Sequence, residues 1–330
     1  MEYRFVGKTG VRVSRLGFGT MSFGGDADEP TSAQLFARCR DAGINLFDCA
    51  NVYNAGRAEE ILGKLVQSCR DEVVLTTKAY FPTGDGPNAR GASRYHLVRS
   101  VEASLRRLGT DRIDLFFLHR FDDQTDLEET LRAVEHLVRS GKILYPAASN
   151  FAAWQVARAL GIAERLGWSP LVAIQPMYNL VKRQAEVELL PMAEAERLAV
   201  FPYSPLGGGL LSGKFSATAR PETARLVKNP MYATRYGEPS NFEVAERFTQ
   251  FAKERGLHPV SLAIAWVSSH PGVTAPLLGA RNLEQLEPAL AAAELTLDAT
   301  TRNAVSALSP TPAPATDRNE EATQANYGAR

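Results

Sequence analysis

The sequence predicts a closed (β/α)8 TIM barrel with an N-terminal hairpin and a long loop after the seventh strand. Three observations predict it. Eight short runs of strong β character recur along the chain, segments of helical period separate them, and most successive strand starts fall roughly 28 to 29 residues apart, the ~30 residues of one βα unit. Eight such units close more naturally than they form an open sheet, because closure leaves no edge strand to protect.

At the N-terminus, Phe5-Val6 and Val11–Val13 flank Gly7-Lys8-Thr9-Gly10, a hairpin signal that would plug the N-terminal end of the barrel. The strands are predicted at Arg15–Gly19, Ile44–Asp48, Val73–Lys78, Asp114–His119, Ile143–Ser149, Leu171–Gln175, Ala199–Tyr203 and Thr274–Gly279. Most are apolar along their whole length rather than alternating, as expected of parallel strands buried on both faces. Leu97, Val101, Leu105 and Leu108, like Leu127, Leu131, Val134 and Val138, each line one face of a helix. An insertion between Gly207 and Pro239 opens on Gly207-Gly208-Gly209, becomes polar from Ala217, and returns to helical spacing at Val244, Phe248 and Phe251. One barrel domain is expected over 1–330, with residues 309–330 as a polar C-terminal tail too poor in apolar residues for a core of its own.

Hydrophobic residues make up 45% and charged residues 22% of the 330, ample for a large core. The 37 basic and 37 acidic residues cancel, leaving no global field to draw in nucleic acid or an anionic membrane. No uninterrupted apolar run approaches the ~20 residues a spanning helix needs, and the first ten residues lack the pattern of a secretory signal. Cys39, Cys49 and Cys69 are odd in number and lack CxxC spacing, which fits reduced thiols in the cytoplasm. His96, His136, His258 and His270 show no ligand spacing, so no metal site is expected.

Asp48, Lys78 and His119 each end a predicted strand, at the face where barrel enzymes carry their chemistry, and Tyr53 follows Asp48 closely enough to fold over the same mouth. Any one of the four alone reads as a loop cap or as packing; together they read as acid–base machinery. A phenol of pKa ~10 is a weak acid for a carbonyl oxygen unless its anion is stabilised. Lys78 is placed to lower that pKa by its charge, Asp48 to keep the ammonium charged and oriented, and His119 to hydrogen-bond the substrate oxygen.

These residues resemble the motifs of the aldo-keto reductase family. Phe47-Asp48-Cys49-Ala50-Asn51-Val52-Tyr53, followed by Gly56, Glu59 and Leu62-Gly63, looks like the family's first signature, and Leu75–Lys78 and Asp114–His119 resemble its lysine and histidine strands. The resemblance runs from about residue 3 to 289. It implies NADP(H)-dependent reduction of aldehydes or ketones, reversible as alcohol oxidation, with Tyr53 as general acid/base.

The same resemblance implies where the cofactor lies. Gly19-Thr20-Met21, Asp48, Ser149-Asn150 and Gln175 match positions at the nicotinamide end. Tyr203-Ser204-Pro205-Leu206 and Gly209-Leu210 through Lys214 match the pyrophosphate loop, with the Tyr203 ring stacked on the nicotinamide. Gly279, Arg281 and Gln285 match the site of the adenosine 2′-phosphate, which favours NADP(H) and leaves NAD(H) open, since Ala289 stands where the family has Asn. Gly208–Lys214 also fits a phosphate-binding P-loop, but Phe215 replaces the Ser or Thr that would hold magnesium. Cys49 stands where the family usually has Thr or Ser, and as the neighbour of Asp48 it should face the opposite side of the strand as a packing thiol.

Substrate preference is expected in the loop Arg120-Phe121-Asp122-Asp123, the Gly207–Pro239 insertion and the tail, with Trp154 and Trp168 read as packing. The expected partner is a small carbonyl or alcohol, and the sequence leaves monomer or homo-oligomer undetermined. The competing reading is a cofactor-binding regulatory subunit resembling the β-subunits of potassium channels.

Overall fold

The computed structural model describes residues 1–216, 220–221 and 225–316; part of the polar stretch after Gly207 and the last part of the tail, 317–330, lie outside the described residues. Strands β1 (Tyr3–Phe5) and β2 (Arg12–Ser14) form the antiparallel hairpin, pairing Tyr3 with Ser14 and Phe5 with Arg12. Its paired residues lie outside Val6 and Val11, because Thr9 N–H and Val11 O turn back onto Val6 and close the chain there.

The eight barrel strands are β3 (Gly17–Gly19), β4 (Leu46–Asp48), β5 (Val74–Ala79), β6 (Ile113–Leu118), β7 (Ile143–Ser149), β8 (Ala173–Gln175), β9 (Ala199–Val200) and β10 (Leu277–Leu278). They are parallel in the order β10-β3-β4-β5-β6-β7-β8-β9. Between the two ends of that order, Thr274 and Ala275 N–H donate to Val200 O at 2.9 and 3.2 Å, and Leu277 N–H donates to Pro202 O at 2.8 Å. These bonds advance in the same direction on both segments and close the ring. The predicted strands are all present; the first, second, sixth, seventh and last are shorter than predicted because their outer residues fall outside the paired ladder.

Helices α1 (Glu29–Asp41), α2 (Arg57–Val66), α3 (Arg94–Leu108), α4 (Leu127–Arg139), α5 (Ala153–Leu166) and α6 (Leu189–Ala195) follow β3 to β8 in turn. After β9 come α7 (Arg225–Lys228), α8 (Pro230–Tyr236), α9 (Pro239–Glu254) and α10 (Pro259–Ser268), and after β10 come α11 (Leu283–Leu290) and α12 (Ala299–Ser306). Helix starts are fixed by side chains that satisfy otherwise orphaned N–H groups. Asp28 accepts from Thr31 N, Ser93 from His96 N and Asn282 from Gln285 N.

Two apolar layers follow from strands buried on both faces. Inside the ring, Leu46, Val74, Leu115, Phe117, Ala147, Ala173, Phe201 and Leu277 form one cluster, sealed by Val6 and Val13 from the hairpin. Each fully buried side chain of the size of Phe117 or Leu46 contributes roughly 1.5–3 kcal/mol. The second layer lies between strands and helices and includes the helix residues Leu97, Val101, Leu131, Val134, Val244 and Phe248. The α2–α3 contact is close: a Cβ on Gly63 would lie 2.6 Å from Leu108 O. With the interior filled by side chains, chemistry is left to the mouth at the strands' C-terminal ends.

Candidate active site

Asp48, Lys78 and His119 are the last or next-to-last residues of consecutive strands, or directly follow one, so parallel pairing brings them together at the mouth. Lys78 is fully buried, and an ammonium there needs all three of its donors satisfied. Its Nζ donates to Asp48 Oδ2 at 2.6 Å, to Cys49 O at 2.6 Å and to Tyr53 OH at 3.5 Å. Asp48 Oδ1 in turn accepts from Thr76 Oγ1 at 2.6 Å and Gln175 Nε2 at 2.9 Å. Thr76 is a member of this network that sequence reading missed; its spacing of two from Lys78 on one strand face was the available signal.

Tyr53 begins a turn in which three successive residues adopt left-handed backbone, Asn54 (φ 48°), Ala55 (φ 55°) and Gly56 (φ 93°). The turn reverses the chain within four residues and leaves the phenol against Lys78. Burial pushes the Tyr53 pKa up to about 12, with Lys78 pulling it down and Asp48 opposing that pull. Sequence reading expected the opposite direction. It weighed the charge of Lys78 and had no measure of how far the phenol is removed from water. For Lys78, burial works against the charge, yet Asp48 and Tyr53 outweigh it and hold the pKa above the ordinary lysine value.

His119 is nearly buried, and burial followed by the charge of Lys78 holds its pKa well below the usual imidazole range. It is a neutral ring at physiological pH. Its ring stands edge-on to Tyr53 at 6.1 Å and to Phe81 at 4.8 Å between centroids. Its Nδ1 is buried with no partner among the described residues, as are both amide atoms of Asn51. Phe81, on the loop after β5, is a further aromatic at this site that sequence reading did not single out.

The side chains matched to the nicotinamide end form a linked chain across neighbouring strands. Ser149 Oγ donates to Gln175 O at 2.9 Å, and Asn150 Nδ2 donates to Ser149 Oγ at 3.0 Å and to His119 O at 2.9 Å. Tyr203 OH donates to Asn150 Oδ1 at 2.7 Å, which brings the seventh strand's tyrosine to the same part of the mouth. Thr20 is buried with its hydroxyl on Asp48 O at 3.0 Å, whereas Met21 is exposed.

After Tyr203 the chain passes through Ser204, held at φ 56° while its carbonyl accepts from Asn179 Nδ2 at 2.9 Å. Pro205 and Leu206 lead into Gly207–Ser212, where Gly207, Gly208 and Gly209 have φ 58°, 68° and 99°. Leu210 and Leu211 point into the core, so this loop presents backbone rather than side chains; Lys214 beyond it is exposed. Open space fronts Gly209 and also Gly279, where an added Cβ would meet nothing within 4 Å. Arg281 N–H donates to Gln285 Oε1 at 3.2 Å at the start of α11. Amide and hydroxyl groups in one chain, a half-buried tyrosine ring, bare glycine backbone and a guanidinium at a helix start are a donor set that fits a nicotinamide dinucleotide. Arg235 of α8 was also missed: its guanidinium stands 6.0 Å from the Tyr203 ring and 5.5 Å from that of Tyr232.

Other expectations are settled by burial. Cys49 is buried in the outer layer, away from the face of Asp48, and burial pushes its thiol pKa up, as a packing thiol requires. Trp154, expected to be packing, is 59% exposed, with its ring 5.9 Å from Phe121. Asp122 is a structural anchor: it accepts from Ala92 N at 2.7 Å, Gln124 N at 3.0 Å and Thr125 Oγ1 at 2.8 Å, joining the loops after β5 and β6. Among the described residues no group of His, Cys, Asp and Glu could hold a metal ion, and no helix is long and apolar enough to cross a membrane.

A barrel of this kind, with its ionisable groups gathered at the strands' C-terminal ends, belongs to an established class: the chain is a member of the aldo/keto reductase family, whose sequence profile matches residues 15–309. That family membership makes it an oxidoreductase. It is 42% identical over 310 residues to the uncharacterized oxidoreductase YrpG of Bacillus subtilis (strain 168), covering 90% of this chain and 93% of the relative. It is also 35% identical to a probable voltage-gated potassium channel subunit beta of Arabidopsis thaliana, over 89% of this chain and 92% of the relative. A protein of the same description from Oryza sativa subsp. japonica is 36% identical, over 87% and 89%.

Proposed function

We propose that the chain is an NADPH-dependent reductase of aldehydes or ketones, working as one barrel unit in the cytoplasm, with Tyr53 as its general acid. The observation that carries this reading is the continuous bonding of Asp48, Lys78 and Tyr53, with the phenol 3.5 Å from a buried ammonium. A bound nicotinamide supplies or removes the hydride. Gln175, Ser149 and Asn150 would hold its carboxamide, Tyr203 its ring, the 204–214 segment its pyrophosphate and Arg281 with Gln285 the 2′-phosphate.

The protein's own residues handle the proton. Tyr53 keeps its proton at neutral pH, since burial raises its pKa to about 12, and it can therefore give that proton to a carbonyl oxygen as negative charge develops there. Lys78, kept charged by Asp48, stabilises the phenolate left behind. Neutral His119 hydrogen-bonds the substrate oxygen without competing as a proton source. In the reverse direction the same phenolate accepts the proton of an alcohol.

A second reading, a cofactor-binding regulatory subunit, is favoured by the likeness to the two plant proteins described as potassium-channel β-subunits. Measuring NADPH consumption with aromatic aldehydes, aliphatic aldehydes, diketones and keto-sugars separates the two. The reductase reading expects turnover of at least one class. Tight NADPH binding with no turnover across the panel would instead favour the regulatory one.

A further inference from the structure

We infer that Asn54 is a positioning residue that couples the turn carrying Tyr53 to the loop after β3, the loop matched to the nicotinamide end. This inference rests on the reductase reading above. The Asn54 side-chain amide donates from Nδ2 to two carbonyls of that loop, Phe23 O at 2.7 Å and Met21 O at 3.0 Å. The loop is folded closely about it: a Cβ on Gly25 would lie 2.6 Å from Asn54 Oδ1. Thr20 N–H and Oγ1 meanwhile bond Asp48 O at 2.8 and 3.0 Å, so the same loop is tied at one end to Asp48 and at the other to the residue after Tyr53.

The choice of residue is informative. At φ 48°, ψ 45° the backbone is left-handed, a conformation that Gly, Asn and Asp adopt most readily. Any of the three can make the turn, but only Asn brings an amide that donates to carbonyl oxygens, while Asp at neutral pH has acceptors alone. Because the two bonds go to the loop rather than back into the turn, the turn itself does not need them. Their effect is to fix the distance between the phenol and whatever rests on residues 19 to 21.

Substituting Asn54 tests this while preserving the backbone. Wild type, Asn54→Gly, Asn54→Asp and Tyr53→Phe are compared for kcat and KM with the best carbonyl substrate, for NADPH affinity by quenching of protein fluorescence, and for melting temperature. Asn54→Gly should lower kcat about tenfold, the expectation for two hydrogen bonds of ordinary net worth, and weaken NADPH binding by about threefold, with KM for the carbonyl little changed. Asn54→Asp should be worse again by about tenfold, because a carboxylate faces two carbonyl oxygens. Both should melt only a few degrees below wild type, the cost of the lost bonds, and so stay fully folded at the assay temperature. If Asn54→Asp matches wild type in kcat and NADPH affinity, or if the variants lose activity only in step with lost stability, Asn54 serves the turn alone and the coupling is wrong. Normal turnover by Tyr53→Phe overturns the reductase reading and the coupling with it, whereas an inactive Tyr53→Phe beside fully active Asn54 variants overturns the coupling alone.

Discussion

Two tyrosines at the barrel mouth are each followed by left-handed backbone, and the two turns are built from different residues. After Tyr53 come Asn54, Ala55 and Gly56, with φ 48°, 55° and 93°; after Tyr203 come Ser204 at 56° and then Gly207, Gly208 and Gly209 at 58°, 68° and 99°. The first turn takes up strain of roughly 1–2 kcal/mol at Ala55, is tied by the Asn54 amide to the loop after β3, and holds its phenol against Lys78. The second adopts the same region mostly through glycine, at little steric cost, and leaves its backbone uncovered at Gly209. One turn sets the Tyr53 hydroxyl 3.5 Å from the buried Lys78 ammonium. The other bonds its Gly207, Gly209 and Leu211 N–H groups back to Ser204 O and Leu206 O and leaves open space in front of Gly209.

That contrast can be broken from either side. The largest effect is expected at Lys78. Lys78→Met leaves Asp48 buried and unpaired, which should cost about 3–5 kcal/mol in chemical denaturation and abolish turnover. Adding Asp48→Asn should recover much of the stability and none of the turnover. If the pair of substitutions restored activity, the buried charge would be a structural element and not part of the chemistry.

Next in size is the glycine loop. Gly208→Ala places a Cβ 2.6 Å from Tyr232 Cδ1 at φ 68°, so both fold and loop should suffer, by about 1–3 kcal/mol in stability. Gly209→Ala meets no atom, so it should cost only the backbone strain of about 1–2 kcal/mol while weakening NADPH binding roughly tenfold. Calorimetric titration beside thermal melting distinguishes them; equal affinity in Gly209→Ala and wild type would remove the loop from the cofactor site.

The pH dependence is a smaller test. Tyr53 retains its proton up to about pH 12, and His119 is neutral because its pKa lies well below the usual imidazole range. Carbonyl reduction, which needs the protonated phenol, should therefore stay flat from about pH 6 to about pH 9, with no break near ~6.5. Alcohol oxidation, which needs the phenolate, should climb with pH across the same range. A break in reduction near ~6.5 would assign the proton to His119. The smallest effect is at Ala55→Gly, where relief of left-handed strain offsets the entropy of glycine; stability should change by less than about 1 kcal/mol, measurable as melting temperature.

The barrel was legible because strands buried on both faces are continuous apolar runs, as at Leu115–Leu118, and because Asp48, Lys78 and His119 sit at or just beyond strand ends, where strand direction alone places them. Strand limits were less legible: Arg15 lies outside β3, whereas Tyr203 and Thr274 fall outside β9 and β10 yet still pair, Tyr203 N–H with Pro176 O and Thr274 N–H with Val200 O. What depends on loop conformation was not legible: the edge contact of Phe81 with His119, the exposure of Trp154, the approach of Arg235 to Tyr203 and the carbonyls gripped by Asn54. The direction of the Tyr53 shift escaped for a related reason. A neighbouring lysine can be inferred from spacing, whereas the loss of water around a phenol is a property of the packed mouth.

The central claim is that Tyr53 supplies the proton, and it is tested most directly by following NADPH oxidation in a single turnover with wild type and Tyr53→Phe at saturating cofactor. The substitution removes only a hydroxyl from a half-buried ring, so NADPH affinity should be unchanged while the rate of the oxidation step falls at least ~100-fold, the contribution of a general acid. An oxidation step of wild-type speed in Tyr53→Phe would contradict the account.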